Sequence, residues 1–426
     1  MKPRLLTRGD VISMIHTDNK RGFASLVIIL LLSSASVIIG SGIAQVAFIT
    51  QRTIQTSIQS LKSYYAVEAG IEDAVYRIQN AISYSPTYTL GVNNTQATIT
   101  ISQGGIERTV ISDGDTQSIR KQLQATLQIS TQSVQFNFGV QVGEGGLQMG
   151  NGSSIVGNVF SNGDIQGGGA SNSSITGTAQ VAGSHTLEEM EVLEDAYAGN
   201  FDDCVIGGVA HYVTTFTDCT ASLTQLLSPP LSPQSFPISQ TQIDAWKNDA
   251  ASGGTIGGDY ILSNNQSATL GPKKIEGDMK LTGNNVTLTL TGTVWVTGKL
   301  DTGNDTIIIL DPGYGSTSGV LIVEGSINPG NNATFSGSGD PNSYIMLLSE
   351  FGPGSAINLG NNATSAIFYA PNGIISIGNG LNLKEAVGYG LSVGNNASIT
   401  YETGLANAQF SSGPGGSFEI TSWNEI

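Results

Sequence analysis

Gly330-Asn331-Asn332-Ala333-Thr334 returns as Gly360-Asn361-Asn362-Ala363-Thr364 and again as Gly394-Asn395-Asn396-Ala397-Ser398. Near relatives of the motif start at Gly283, Gly303 and Gly378, so successive intervals are 20, 27, 30, 18 and 16 residues. Upstream, Ser153-Ser154-Ile155 and Gly157 are echoed by Ser173-Ser174-Ile175 and Gly177, again a shift of 20. Short apolar stretches separate the copies, among them Val286 to Leu290, Val294 to Val296, Ile307 to Leu310 and Val320 to Val323. A period near 20 with one to three short strands per repeat marks a solenoid. The expected fold class is therefore mainly β, a right-handed parallel β-helix. Gly and Asn suit its corners because they adopt left-handed backbone angles at least cost. Asn side chains of successive coils can also hydrogen-bond along the axis. The longer intervals imply corner insertions at 311–317 and 336–342. The alternative is a β-sandwich, whose turn signals would recur every ~8 to 12 residues without this register. Asn332, Asn362 and Asn396 head Asn-x-Ser/Thr sequons, which the repeat itself accounts for as corners.

Outward from the repeat, the pattern breaks between 184 and 250. Leu187 to Tyr197 reads as an acidic helix, and Ser228 to Pro237 as a proline-rich connector. Ser239, with Gln242 three residues on, forms a capping box for a helix reaching Ala250. That helix is expected to lie on the solenoid and cover apolar surface at one end or side. The last segment, Gly404 to Ile426 with Phe410, Phe418 and Trp423, is expected to close the other end, because a bare coil edge pairs with other chains. The expected division is 134–183 for the first coils, 184–250 for the insertion, and 251–426 for the main β-helix with its cap. Cys204 and Cys219 are the only cysteines. Their spacing suits a disulfide in an oxidising compartment; free thiols and a metal site, with only His211 between them, are the alternatives.

The N-terminal end is of another kind. Phe23 to Ile49 holds 27 residues without a charge, directly after Lys20, Arg21 and Gly22. As a helix the run reaches about 40 Å, more than the ~30 Å apolar core of a bilayer. Lys2, Arg4, Arg8, Lys20 and Arg21 precede it, whereas Arg52 and Lys62 are sparse beyond it. The positive-inside rule then keeps 1–22 in the cytoplasm and sends everything after Ile49 outside. Ser36, Gly40 and Ala44 fall four apart, a small-residue seam for close helix approach within the membrane. Ile54, Ile58, Leu61 and Tyr65, then Ile71, Val75 and Ile78, carry an apolar stripe onward, so one rod spans 23–80. Alternating runs at Gln96 to Ile101 and Leu123 to Ile129, with a turn at Gly104-Gly105, predict a small antiparallel sheet within 81–133.

The junction Lys20-Arg21-Gly22-Phe23-Ala24-Ser25-Leu26-Val27 resembles a type IV prepilin signal. That resemblance implies cleavage after Gly22 and methylation of Phe23 by a prepilin peptidase. Ser63-Tyr64-Tyr65-Ala66-Val67-Glu68-Ala69-Gly70-Ile71-Glu72-Asp73-Ala74 is similar to the end of the long helix in PilX-type minor pilins. It implies an inner-membrane anchor, other pilin-like subunits as partners, and a reduced pilin head. Val27 stands where major pilins carry Glu, which favours a minor, tip or membrane-resident subunit. The whole arrangement resembles surface proteins in which a pilin-like helix carries a β-helix with Gly-Asn-Asn repeats. That likeness implies architecture and location only.

Charge and chemistry narrow the role. Residues 1–121 carry a net +3 and the remainder −19, for −16 overall. An acidic exported part excludes nucleic acid as a partner. With only His16, His185 and His211, no Ser-His-Asp set and no zinc spacing can be built, and no phosphate loop appears. Parallel β-helices do host polysaccharide lyases and hydrolases, which makes a carbohydrate-active enzyme the alternative. Its carboxylates would come from Asp301, Asp305 and Asp311, or Glu324 with Asp340. Turn formation explains most of these, and calcium at Asp301 and Asp305 is a lesser reading. A third possibility, a polymerising β-helix of the cytoskeleton, conflicts with the exported orientation and the cysteine pair. The expectation is a non-enzymatic protein without cofactor or catalytic residues. It is anchored in membrane lipid, sits on the cell surface or pilus, and displays a rigid acidic β-helix toward a surface polysaccharide or neighbouring cell.

Overall fold

The computed structural model describes residues 19–79, 84–104, 107–116, 119–129, 131–169, 172–360, 367–413 and 418–426. The basic tail before Asn19, the turn residue Gly105 and the repeat copy at 361–364 lie outside the described residues. Helix α1 runs unbroken over Asn19–Gln79, about 90 Å at the usual rise. Its first half buries nothing. From Ser63 onward Ala66, Val67, Ile71, Ala74, Val75 and Ile78 are buried. They pack on strands β2 (Thr95–Gly104), β3 (Glu107–Thr116) and β4 (Ile119–Ile129), through Ile99, Ile101, Val110, Leu123 and Leu127. The sheet is antiparallel in the order β1 (Thr87–Val92), β2, β3, β4. Burial along β3 alternates as a one-sided sheet requires. The helix approaches closely because Gly114 faces it: a Cβ there would stand 2.6 Å from Val67 Cγ2. The Ser63 hydroxyl donates to the Gly114 carbonyl at 2.7 Å.

The C-terminal segment corrects the expectation of a cap at 404–426. Its last strand, Phe418–Glu425, pairs antiparallel with β4 as the fifth strand of this small sheet, and Glu425 forms an ion pair with Lys121. The edge of β4 would otherwise present unpaired backbone groups, and an exposed edge strand takes whatever strand is tethered beside it. A second short ladder joins Ala408–Ser411 to β5 (Thr131–Val134).

From β6 (Val140–Met149) to Ser398–Thr400 the chain makes successive parallel passes. Thr287, Ile307 and Thr334 are neighbours on one face; Met279, Leu300 and Ile327 are neighbours on another. Among the described residues every ladder in this region is parallel, so the antiparallel sandwich does not occur. Side chains that alternate inward form one continuous core, from Val140 and Ile155 through Leu288 and Leu321 to Ile399.

Corners fall where Asn and Asp take left-handed angles: φ is 59° at Asn265, 56° at Asn285, 54° at Asp305, 57° at Asn332 and 55° at Asn396. Beside them runs a ladder of side chains onto backbone. Asn264 accepts from the Asn284 amide at 2.6 Å, Asn304 from Asn331 at 3.1 Å, and Asn379 from Asn395 at 2.8 Å.

The acidic helix expected at Leu187 to Tyr197 is not formed. Thr186–Val192 and Ala196–Thr217 are strands of the stack. Leu187, Met190 and Val192 all point into the core, and Glu189, at φ 55°, resets the alternation so that Met190 can do so. The parallel stack thus continues through most of the region expected to interrupt it, up to Thr220–Leu226.

The order of passes differs from the order of the sequence. The chain enters at β6, in the middle, and builds toward one end at Thr220–Leu226. It then returns along the side. Leu231 accepts from the Gly183 amide, Gln234 exchanges hydrogen bonds with Asn162, and Ser235 accepts from the Gln141 side chain. Helix α2 (Gln240–Ser252), capped by the Ser239 hydroxyl on the Gln242 amide, continues this strap to the other end at Thr255–Gly257. From there the passes run back to the middle, where Glu385–Val393 pairs with β6 and Ser398–Thr400 with Ser154–Val156. The Asn ladder crosses the join, because Asn395 accepts from the Asn151 amide at 2.9 Å. Ile243 and Trp246 of α2 fill a second apolar layer with Val320, Ile322, Met346, Tyr369 and Phe410, outside the stack.

Candidate functional site

The anchor end is built from exposure. Phe23, Leu30, Val37, Ile43 and Phe48 are each more than 60% exposed, and Phe23–Ile78 is a helix long and apolar enough to cross a membrane. Its few polar side chains close on the helix itself. The hydroxyls of Ser33, Ser34, Ser36 and Ser41 donate to carbonyls three or four residues back, which removes their cost in an apolar medium. Gly22 and Phe23 both lie within α1. Ser36, Gly40 and Ala44 stand on its open surface, and nothing lies within 4 Å of a Cβ added at Gly40. Cys204 and Cys219 are bonded to each other, with Cα atoms 4.5 Å apart, in the last passes of the stack.

The carboxylates proposed for hydrolysis are not brought together as a catalytic pair; each has a local partner. Asp301 accepts from the Asn328 amide at 2.9 Å, and Asp305 from Asn332 at 3.0 Å. Asp311 caps the short turn Pro312–Tyr314 through the Gly313 amide, and Asp340 accepts from the Asn342 amide. Glu324 belongs to a clamp on α2. It accepts from Lys247 Nζ at 2.8 Å and from Trp295 Nε1 at 3.1 Å, while Lys247 also pairs with Glu350. Burial works against the Lys247 charge, and the two carboxylates outweigh it, so its pKa is raised. No group of three or more His, Cys, Asp or Glu side chains is placed to hold a metal among the described residues. His185 pairs with Asp164, and His211 stacks on Tyr197 with ring centroids 4.1 Å apart.

Two features escape the sequence. The first is a polar row along one outer face. Asn328 donates to Asp301 and Asn358 to Asn328, each at 2.9 Å. Ladder neighbours continue the row through Ser376, Ser392, Gln148 and Gln166. A shallow cavity of about 300 Å³ opens on it between Gln148, Gln166 and Ser392. The row joins residues up to 244 positions apart, so no local pattern discloses it; the recurrence of one polar residue after each inward aliphatic is its only trace. The second is Glu385, fully buried beside Ile367, with neither carboxyl oxygen hydrogen-bonded. Burial pushes its pKa well above the ordinary glutamate range.

No protein-family model matches the chain, and no curated protein does. Among solved structures, the chain is similar to the competence-associated pilin ComZ of Thermus thermophilus. The identity is 12% and the TM-score 0.27, over 86% of this chain and 97% of that one. It is also similar to an ice binding protein from an Antarctic bacterium, Flavobacteriaceae, at 11% identity and a TM-score of 0.22, over 62% of this chain and 81% of that one. Likenesses this loose carry no conclusion about fold or role.

Proposed function

We propose that this chain is a membrane-anchored, pilus-associated surface protein of the minor-pilin kind, without enzymatic activity. Its head carries a right-handed parallel β-helix outside the cytoplasm for attachment. The observation that carries the reading is α1 itself. One 61-residue helix is charge-free and uncovered through Phe23–Ile49, then buries its second half under a small antiparallel sheet. An exposed apolar half needs either lipid or other helices around it, and a pilin-like subunit uses both in turn. The row through Asn328, Asn358, Gln148 and Gln166 supports attachment to a surface polysaccharide, since amides and hydroxyls match sugar hydroxyls as donors and acceptors.

Mass spectrometry of the chain isolated from its own cells tests the anchor. A mature protein starting at methylated Phe23 is expected; one starting at Met1 removes the prepilin reading and leaves the anchor. External protease on intact cells should degrade the region after residue 80, and full protection would overturn surface display. On a panel of polysaccharides, binding without turnover is expected; turnover abolished by Asp301→Ala would overturn the non-enzymatic reading.

A further inference from the structure

The core of the stack is left unfinished at both ends. Its partly exposed members are Tyr212, Phe216 and Ala221 in the last pass, and Ile256, Tyr260 and Leu262 in the pass that follows α2. Among the described residues, Thr220–Leu226 has one ladder partner, on its inner side, and so has each strand of the opposite end. The outer edges expose apolar side chains: Leu223 is 61%, Leu226 64% and Ile261 55% exposed. The segments that could have covered an end are used elsewhere. The connector and α2 run along the side, and the final strand belongs to the small sheet.

The ends also differ in charge. Residues 186–226 contain eight carboxylates, with Asp202, Asp203 and Asp218 nearest the edge, and no Lys or Arg. Residues 253–281 are balanced, with Lys273, Lys274 and Lys280 against Asp259, Glu276 and Asp278.

We propose that these two ends form an interface between copies of this chain: the Thr220–Leu226 end of one copy seats on the Thr255–Leu270 end of the next. Two acidic ends repel each other, whereas the acidic end meets lysines on the opposite one. Only a head-to-tail contact keeps every strand parallel across the junction, as it is within each copy. It completes both half-covered core layers and satisfies two open edges at once. Such a contact is heterologous, so it repeats and produces a linear array. The inference rests on the stack and stands apart from the pilus reading, whose failure would leave it untouched.

The test uses the full chain in detergent micelles, followed by sedimentation and light scattering. Assemblies should grow with protein concentration. Leu223→Lys with Leu226→Lys blocks one end, and Ile261→Lys with Ile256→Lys blocks the other. Each blocked protein should associate about tenfold more weakly or worse, with circular dichroism confirming that it is folded. An equimolar mixture of the two should give dimers and stop there, because one good end of each kind remains. One chain per micelle at every concentration would overturn the proposal. So would assemblies that survive both blocks, which the membrane helix would then explain, or a blocked protein that dimerises with itself.

Discussion

The small sheet on α1 and the parallel stack solve the burial of strands in opposite ways. In the sheet, neighbours in space are neighbours in sequence: β2, β3 and β4 follow each other through short turns, and one helix covers one face. In the stack each pass is covered by passes 16 to 30 residues away, and at the join by a pass 244 residues away. The sheet therefore depends on a single close contact with a helix. The stack depends on its ends, its strap and the join. Locally paired strands are stabilised piece by piece, whereas stacked passes share a core and yield together.

That contrast can be broken most severely at the strap. Trp246 is fully buried between α2 and Phe410, with ring centroids 5.6 Å apart. Trp246→Ala should cost about 3–5 kcal/mol of stack stability in chemical denaturation and leave the small sheet's transition in place. Next comes the terminal pass. Cys204→Ser opens a loop of 15 residues and should cost about 3 kcal/mol, read as early proteolysis of 205–226.

Glu385 gives a pH dependence. The folded protein holds this proton more tightly than the unfolded chain, so its contribution is fully present below the ordinary glutamate range. It is then lost as pH rises toward the folded pKa. Wild type should lose about 1.4 kcal/mol per pH unit relative to Glu385→Gln in that window. Asp113, beside Arg120, has its pKa lowered and acts with the opposite sign, but at lower pH. Melting curves of both proteins between pH 4 and 8 make the comparison; parallel curves would contradict it. The smallest effect belongs to the sheet. Gly114→Ala pushes a methyl group against Val67 and should cost about 1 kcal/mol, visible as faster hydrogen exchange in β3 and β4 with the stack unchanged.

The contrast also explains what could be read in advance. Alternation and hairpin turns are local, so β2 and β4 were legible, as was the long apolar helix. Corner chemistry is local too, and Asn332 and Asn396 take the left-handed angles that their motif implies. At Leu187 to Tyr197, one left-handed residue, Glu189, changed a strand's alternation into spacing that mimics a helix. The echo between Ser153 and Ser173 disclosed a shift of 20, and Ser154 is indeed the neighbour of Ser174. It could not disclose that Ser398 lies on Ser154's other side, because identical motifs fit any adjacent pass. Nor could it show that the last strand belongs with β4, since that choice depends on which edge the fold leaves open. The polar row and the clamp of Lys247 on Glu324 and Glu350 were hidden by the same separation.

Placing the join in the middle sets an order of events during biosynthesis. The β6 edge exists as soon as residue 149 has emerged, yet the strands that cover it, Glu385–Val393 and Ser398–Thr400, come more than 230 residues later. At ~5–20 residues per second that edge waits on the order of ten seconds or longer, bare, while the nascent chain is still arriving. A chaperone that shields naked strands during export, or a crowd of sister chains ready to swap theirs, would act in that interval and at that seam.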